Sequence, residues 1–167
     1  FQLTPGGRAS RFVAEVLMPG MQMTMKGPFG IFIIKPSTKP LLFVGTGTGI
    51  APFRAQLIDI LSTQKDMRPL YLLIGAREES DLFWREELMN LTEKFKNLHV
   101  HITLSGEAKD WKGERGRVQT ILPSIVIYPA NINVYICGAP QMVKDVKEFC
   151  ITALGIPKSD VHAEGYI

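Results

Sequence analysis

Cysteine, histidine and long apolar runs are all scarce in this 167-residue sequence, which has two cysteines and three histidines. Cys137 and Cys150 do not form a C-x-x-C pair and have no clustered histidines beside them, so neither a zinc site nor a disulfide framework is expected. A reducing cytoplasm suits such a chain, and without a plant-type cysteine run it holds no iron–sulfur cluster of its own. No apolar run approaches the roughly 18 residues of a membrane helix, and no charged-then-apolar leader opens the chain. A block of one charge is missing as well. The 19 basic and 16 acidic residues are interspersed and leave a net charge of only +3, which argues against nucleic acid or a membrane surface as partner and in favour of a small ligand. The chain starts at Phe1 without a methionine, and its length suits one domain with a fragment of another.

From about residue 40 a pattern repeats: a short apolar run, a glycine or polar turn, then a segment with helical spacing. The runs are LLFVG (41–45), LYLLIGA (70–76), LHVHITL (98–104) and INVYICGA (132–139), with VHAEGY (161–166) as a fifth. Between them lie PFRAQLIDILSTQ, DLFWREELMNLTEKF, GRVQTIL and PQMVKDVKEFCITAL. Trp84, Leu88, Leu91 and Phe95 recur on one helical face, as do Met142, Val146, Phe149 and Cys150. Strands alternating with helices predict an α/β fold: a five-stranded, parallel, doubly wound sheet. LLFV and LYLLI are continuously apolar, as strands buried on both faces are, whereas LHVHITL alternates and reads as an edge strand. Its H-x-H pair is read as two partly exposed polar positions rather than a metal site, and no metal is expected. Residues 1–37, rich in Met, Gly and Pro with short extended runs, read as a few antiparallel strands, too short to stand as a domain. KPSTKP joins them to the α/β domain at 38–167.

GTGTGIAPF follows the first strand. A pyrophosphate favours a strand that ends in glycines and feeds a helix N-terminus, where free N–H groups and the helix dipole attract anions. Gly45, Gly47 and Gly49 supply that context, and Pro52 is placed at the first helical position, where its missing N–H costs nothing. The pattern from Gly47 is G-x-G-x-x-P, not G-x-G-x-x-G, and no acidic residue stands about 20 positions on to hold a ribose. On spacing alone the turn is either a phosphate site or a merely tight connection. The remaining strands end in GAREES, LSGE and CGAPQM, all short of bulk, and ligands of open α/β sheets bind beyond such ends. Cys137 there either is a small buried apolar residue or borders a ligand lying across the sheet.

Taken together, GTGTGIAPF, GARE with DLFWREEL, CGAPQMV and the E-x-Y of AEGYI resemble the ferredoxin-NADP reductase superfamily, in particular the NAD-binding domain of its oxygenase-reductase-type members. The resemblance covers nearly the whole chain. It implies hydride transfer between a nicotinamide and the N5 of bound FAD, then electron delivery to an acceptor: an iron–sulfur protein, an oxygenase, a quinone or a heme domain. It also implies roles. Gly45, Gly47, Thr48, Gly49, Ile50 and Pro52 line the pyrophosphate and nicotinamide path. Gly75 and Arg77 flank the adenosine side, with Ser105 nearby. Cys137 lies against the nicotinamide, and Gly138, Ala139 and Met142 complete that wall. Glu164 and Tyr166 match the terminal acidic-x-aromatic pattern whose ring covers the flavin. GGRAS, with Arg8 and Ser10, is similar to the element that holds the flavin's phosphates, so residues 1–37 resemble the end of the flavin-binding barrel, with GPFGIF as its closing strand.

Two departures accompany the resemblance. The family's R-x-Y-S/T flavin motif is absent from the chain, so FAD is expected only in a full-length parent. Tyr166 is followed by Ile167, which leaves a second reading in which Tyr166 only finishes an edge strand. For the nicotinamide, Ser105 is followed by Gly106 and Glu107, and a carboxylate there repels a 2′-phosphate, which favours NADH. Arg115 and Arg117, downstream, could supply charge for NADPH. The alternatives to a flavin-dependent reductase are a non-catalytic module that senses a nucleotide and a structural subunit whose glycine turns are only tight connections.

Overall fold

The computed structural model describes residues 3–27, 29–107 and 110–165. By contacts the chain divides into two compact units, Phe1–Ile31 and Phe32–Ile167. In the first, Gly7 leads into a short helix α1 (Arg8–Arg11) that widens into a π turn over Phe12–Val16. The antiparallel strands expected in residues 1–37 are not formed among the described residues. A strand is defined by a ladder to a hydrogen-bonded partner, and here no strand is assigned while Met21, Met23, Met25, Phe29 and Ile31 lie exposed.

The second unit is a parallel sheet of six strands rather than the five expected. They are β1 (Leu41–Thr46), β2 (Leu70–Ala76), β3 (Leu98–Leu104), β4 (Glu114–Arg115), β5 (Asn133–Gly138) and β6 (Val161–Gly165), in the order β4-β3-β2-β1-β5-β6. The additional strand is β4. Two charged residues carry no hydrophobic period for a sequence reading to find; β4 exists because Glu114 and Arg115 pair with Thr103 and Leu104, and because the Thr103 hydroxyl donates to the Gly116 carbonyl at 2.8 Å. β3, read as an edge strand from its alternation, therefore has an outer neighbour along its last two residues, and among the described residues its outer edge is open only before them.

Helices α2 (Ile50–Ile58) and α3 (Arg85–Lys94) cover one face, and α4 (Val118–Ile125) and α5 (Pro140–Thr152) the other. β1 and β2 are apolar throughout because each face meets a different core. Leu41 and Phe43 pack with Phe53, Leu57 and Tyr135 towards α2, while Leu42 and Val44 pack with Leu122, Val134 and Val146 towards α4 and α5. Full burial stabilises each such side chain by about 1.5–3 kcal/mol. Two helix starts differ from the sequence reading. α2 begins at Ile50, so Pro52 is its third residue, still within the first turn, where no intrahelical acceptor is lost. Trp84 precedes α3 as a left-handed cap with φ 54° instead of opening its apolar face.

Candidate functional site

Because every strand runs the same way, all six carboxyl ends lie at one edge of the sheet. Gly45 is level with Ile74 of β2 and Cys137 of β5, and Cys137 with Glu164 of β6. With neighbouring strands about 4.8 Å apart, Glu164, Cys137 and Gly45 form a row about 10 Å long. The chain moves outward from β1 to β4 on one side and then from β5 to β6 on the other. The order therefore reverses between β1 and β5, the crevice where open α/β sheets bind their ligands.

The turn after β1 closes directly on that crevice. A Cβ on Gly49 would lie 2.2 Å from the Cys137 carbonyl oxygen and 2.6 Å from the Gly138 Cα, so main chain meets main chain. Gly138, with φ 148°, leaves room for Thr46, whose Oγ1 would be 2.6 Å from a Cβ there; a Cβ on Gly75 would meet Thr46 Cγ2 at 3.0 Å. Thr46 is thus wedged between two glycines of flanking strands. It is absent from the residues read out of the sequence, and the signal for it is the coincidence of three strand-end glycines at one level.

The donors suit an anion. α2, α4 and α5 all begin at this edge with Gly49, Arg117 and Ala139 as N-caps, and none of the three has a side-chain cap. Ile50 donates its N–H back to the Gly47 carbonyl, and Pro52 and Pro140 have none, so these starts offer a bound group their positive dipole ends and the remaining first-turn N–H groups. Gly47 adopts the left-handed region at φ 55°, and Thr48 and Pro52 beside it are half-buried. Ile50 is 1% exposed, so only its backbone faces the turn. These features fit a dinucleotide pyrophosphate.

Towards β4, Ser105 donates its N–H to the Ala76 carbonyl and Gly106 to that of Arg77, both at 2.9 Å. These bonds tie the ends of β2 and β3 together, with Ser105 and Arg77 exposed beside them. Pairing of β4 brings Arg115 level with Leu104, and Arg117 follows at the start of α4. Three arginines therefore bracket the ends of β2, β3 and β4, with the exposed Glu107 among them.

Towards β6, Cys137 has no solvent exposure and its side chain joins the core under α2. Gly138 is buried, Ala139 is exposed, and Met142 is half-buried with its Cε close to Gly138. Glu164 is exposed on the edge strand; Tyr166 lies outside the described residues. Arg8 and Ser10 belong to the first unit, where Arg8 is exposed and the Ser10 hydroxyl accepts the Thr4 N–H at 2.8 Å. Cys150 sits in the opposite core, and burial pushes its thiol up to about 12. Among the described residues no group of three or more His, Cys, Asp or Glu could hold a metal ion, and no helix is long and apolar enough to cross a membrane.

An all-parallel doubly wound sheet with a glycine turn closing on its switch point defines a nucleotide-binding α/β domain. Residues 43–148 match the Oxidoreductase NAD-binding domain family, and the chain belongs to it. Among curated relatives it is 37% identical over 168 residues to Ferredoxin–NADP reductase B of Sorangium cellulosum, covering 96% of this chain and 68% of that protein. It is 29% identical over 146 residues to the anthranilate 1,2-dioxygenase electron transfer component of Acinetobacter baylyi, covering 87% of this chain and 42% of that one. Among solved structures, the ferredoxin reductase in carbazole 1,9a-dioxygenase superposes with a TM-score of 0.79 at 21% identity, over all of this chain and 50% of its own. A ferredoxin NADP+ reductase of Neisseria gonorrhoeae with bound FAD and NADP superposes at 0.74 and 22% identity, over 98% of this chain and 71% of its own. The chain is an NAD(P)H-binding domain of the ferredoxin-reductase-like electron-transfer family, and it spans half or less of several of the proteins it matches.

Proposed function

We propose that the domain is the nicotinamide half of a flavin-dependent NADH reductase, and that residues 1–37 are the end of its flavin-binding half, with 38–167 as the nicotinamide domain. The observation that carries this reading is the closure of Gly49 on Cys137 and Gly138 at the switch point, beside uncapped helix starts. When bound, the nicotinamide supplies a hydride that FAD of the complete protein accepts for onward transfer to an acceptor. This chain's residues bind and orient. The positive ends of α2 and α5, with their remaining first-turn N–H groups, hold the pyrophosphate, Arg77 and Ser105 flank the adenosine, and Gly138 with Met142 forms a wall that keeps water from the nicotinamide. Cys137 supports that wall from below, and Glu164 and Tyr166 stand at its far edge. Arg8 and Ser10 serve the flavin's phosphates. An oxygenase or a ferredoxin is the kind of acceptor that the relatives' names supply.

NADH is favoured because Glu107 follows Ser105 and Gly106 on an exposed loop, where its charge opposes a 2′-phosphate. One observation favours NADPH: β4 carries Arg115 to the end of β3, beside Ser105. Isothermal titration of the chain with NADH, NADPH and ATP decides between them; binding of none of the three would sink the nucleotide reading altogether. In an N-terminally extended protein, stopped-flow flavin reduction should slow in Cys137→Ala, and an unchanged rate would remove Cys137 from the hydride site.

A further inference from the structure

The connection from β3 to β4 carries Ser105 at one end and Arg115 at the other, and one aromatic side chain fastens it to a different loop. Trp111, half-buried, donates its Nε1–H to the Glu114 carbonyl at 2.9 Å, and its own carbonyl accepts an Arg115 Nη2 donor at 3.3 Å. The Arg85 guanidinium lies over the indole, 5.2 Å from the ring centroid, and is ion-paired with Glu79. Gly113 folds so closely against the Nε1 edge of the ring that a Cβ there would be 2.6 Å from Cζ2 and 2.8 Å from Nε1. Arg85 opens α3 and Glu79 lies in the turn after β2. One indole therefore bridges the two loops that follow Arg77 and Ser105.

We propose that Trp111 is the positioning residue of the adenosine end: stacked under Arg85 and bonded to the β4 backbone, it fixes the spacing between Arg77 on one loop and Ser105 and Arg115 on the other. The inference rests on the dinucleotide reading given above. Its physical basis is that the bridge between the two loops is made by a cation–π contact, an ion pair and hydrogen bonds near the surface. Arg85 and Glu79 have side chains 45% and 55% exposed, so the bridge adds little to the core while setting the geometry of a loop whose strand pairing with β3, among the described residues, is to Thr103 and Leu104.

The test is isothermal titration of the 167-residue chain and its variants with ADP-ribose and, separately, with nicotinamide mononucleotide. Trp111→Ala should weaken ADP-ribose about tenfold, the effect of one lost cation–π contact together with one hydrogen bond, and leave nicotinamide mononucleotide unchanged. Trp111→Phe keeps a ring for Arg85 but loses the Nε1 donor, and should fall between. Arg85→Gln should weaken ADP-ribose by itself yet add nothing in the Trp111→Ala background, the sign of a shared interaction. Equal ADP-ribose affinity in wild type and Trp111→Ala would overturn the positioning role while leaving the dinucleotide reading intact, and so would a parallel loss of both fragments. Absence of ADP-ribose and NADH binding in the wild type would overturn both readings.

Discussion

Replacing Gly49 by alanine tests the closure of the switch point with a single methyl group. Gly49 has φ −61° and ψ −12°, an ordinary right-handed conformation, so alanine brings no backbone strain and its effect is purely steric. The new Cβ would meet the Cys137 oxygen at 2.2 Å, the Cys137 carbonyl carbon at 2.5 Å and the Gly138 Cα at 2.6 Å, where ordinary contact begins at 3.4 Å. All three are main-chain atoms of a central strand and cannot rotate away. The turn must lift by more than an ångström, and the start of α2 moves with it, loosening Phe53 from Phe43, whose ring centroids are 5.2 Å apart. Overpacking costs about 1–3 kcal/mol, and contact with fixed backbone puts this substitution near the top of that range. Of a total stability of about 5–15 kcal/mol, a loss near 3 lowers the urea midpoint by about 1.5 M at a slope near 2 kcal/mol/M. Urea denaturation followed by circular dichroism, beside NADH titration, measures both consequences. The control is Gly165→Ala, whose Cβ would meet Pro140 Cα at a comfortable 3.7 Å. A Gly49→Ala chain that unfolds within about 0.3 M urea of that control and binds NADH as the wild type does would refute the reasoning.

Phe53→Ala empties a fully buried site between Phe32 and Phe43 and should cost about 3–5 kcal/mol, read as a lower midpoint in the same denaturation. Cys150 gives an alkaline signature. Burial raises its thiol from 9.0 to about 12, so the unfolded chain ionises first and stability present below pH 9 is lost as pH rises towards 12, by roughly 4 kcal/mol in all. Stability of Cys150→Ala should fall less steeply over that range, and equal slopes would place Cys150 outside the effect. His162 gives the acid counterpart. Burial lowers its pKa, Lys35 lowers it further, and Asp160 partly opposes them. The folded state then favours the neutral ring, so the stability present above pH 6.5 is lost as pH falls below it, and a melting temperature compared at about pH 7.5 and about pH 5.5 should drop less in His162→Gln.

Where a segment's structure follows from its own hydrophobic period, the sequence predicts it. The unbroken apolar runs of β1 and β2 required helices on both faces, and these are present; alternation in β3 predicted an edge strand, and β4 instead pairs along its last two residues and takes the edge. β4 escaped because it is specified from outside itself. Its pairing depends on Thr103, on Leu104 and on a His101–Glu114 contact of 3.3 Å, none of which a two-residue window of Glu and Arg can announce. The N-terminal stretch misled for the opposite reason. Met21, Met23 and Met25 alternate as a strand does, but period two fixes only which way side chains point, and a ladder also needs a second chain segment to accept the bonds. In the site, glycines at the strand ends were visible as a pattern, while the side chain they accommodate was not.

Thr46 explains why the glycines occur where they do. The period of two places it with Leu42 and Val44 on the α4–α5 face, level with Gly75 of β2 and next to Gly138 of β5. Its two branches fill the space where Cβ atoms on both neighbours would stand, since a Cβ would be 3.0 Å from Thr46 at Gly75 and 2.6 Å at Gly138. On the other face Gly45 gives way to Phe53, 3.3 Å from where its Cβ would be, and Gly49 gives way to the β5 backbone. Four of these glycines are therefore required by contacts inside the protein. Substituting any of them disturbs packing and ligand together, so a loss of NADH binding there cannot by itself assign a contact. Gly47 differs: its requirement is conformational, φ 55° on a half-buried turn. Asparagine, which tolerates the left-handed region better than other side chains, separates the two demands at that position. Gly47→Asn preserves the turn while placing a side chain where a dinucleotide would approach, so weaker NADH binding at unchanged stability would mark the ligand's path.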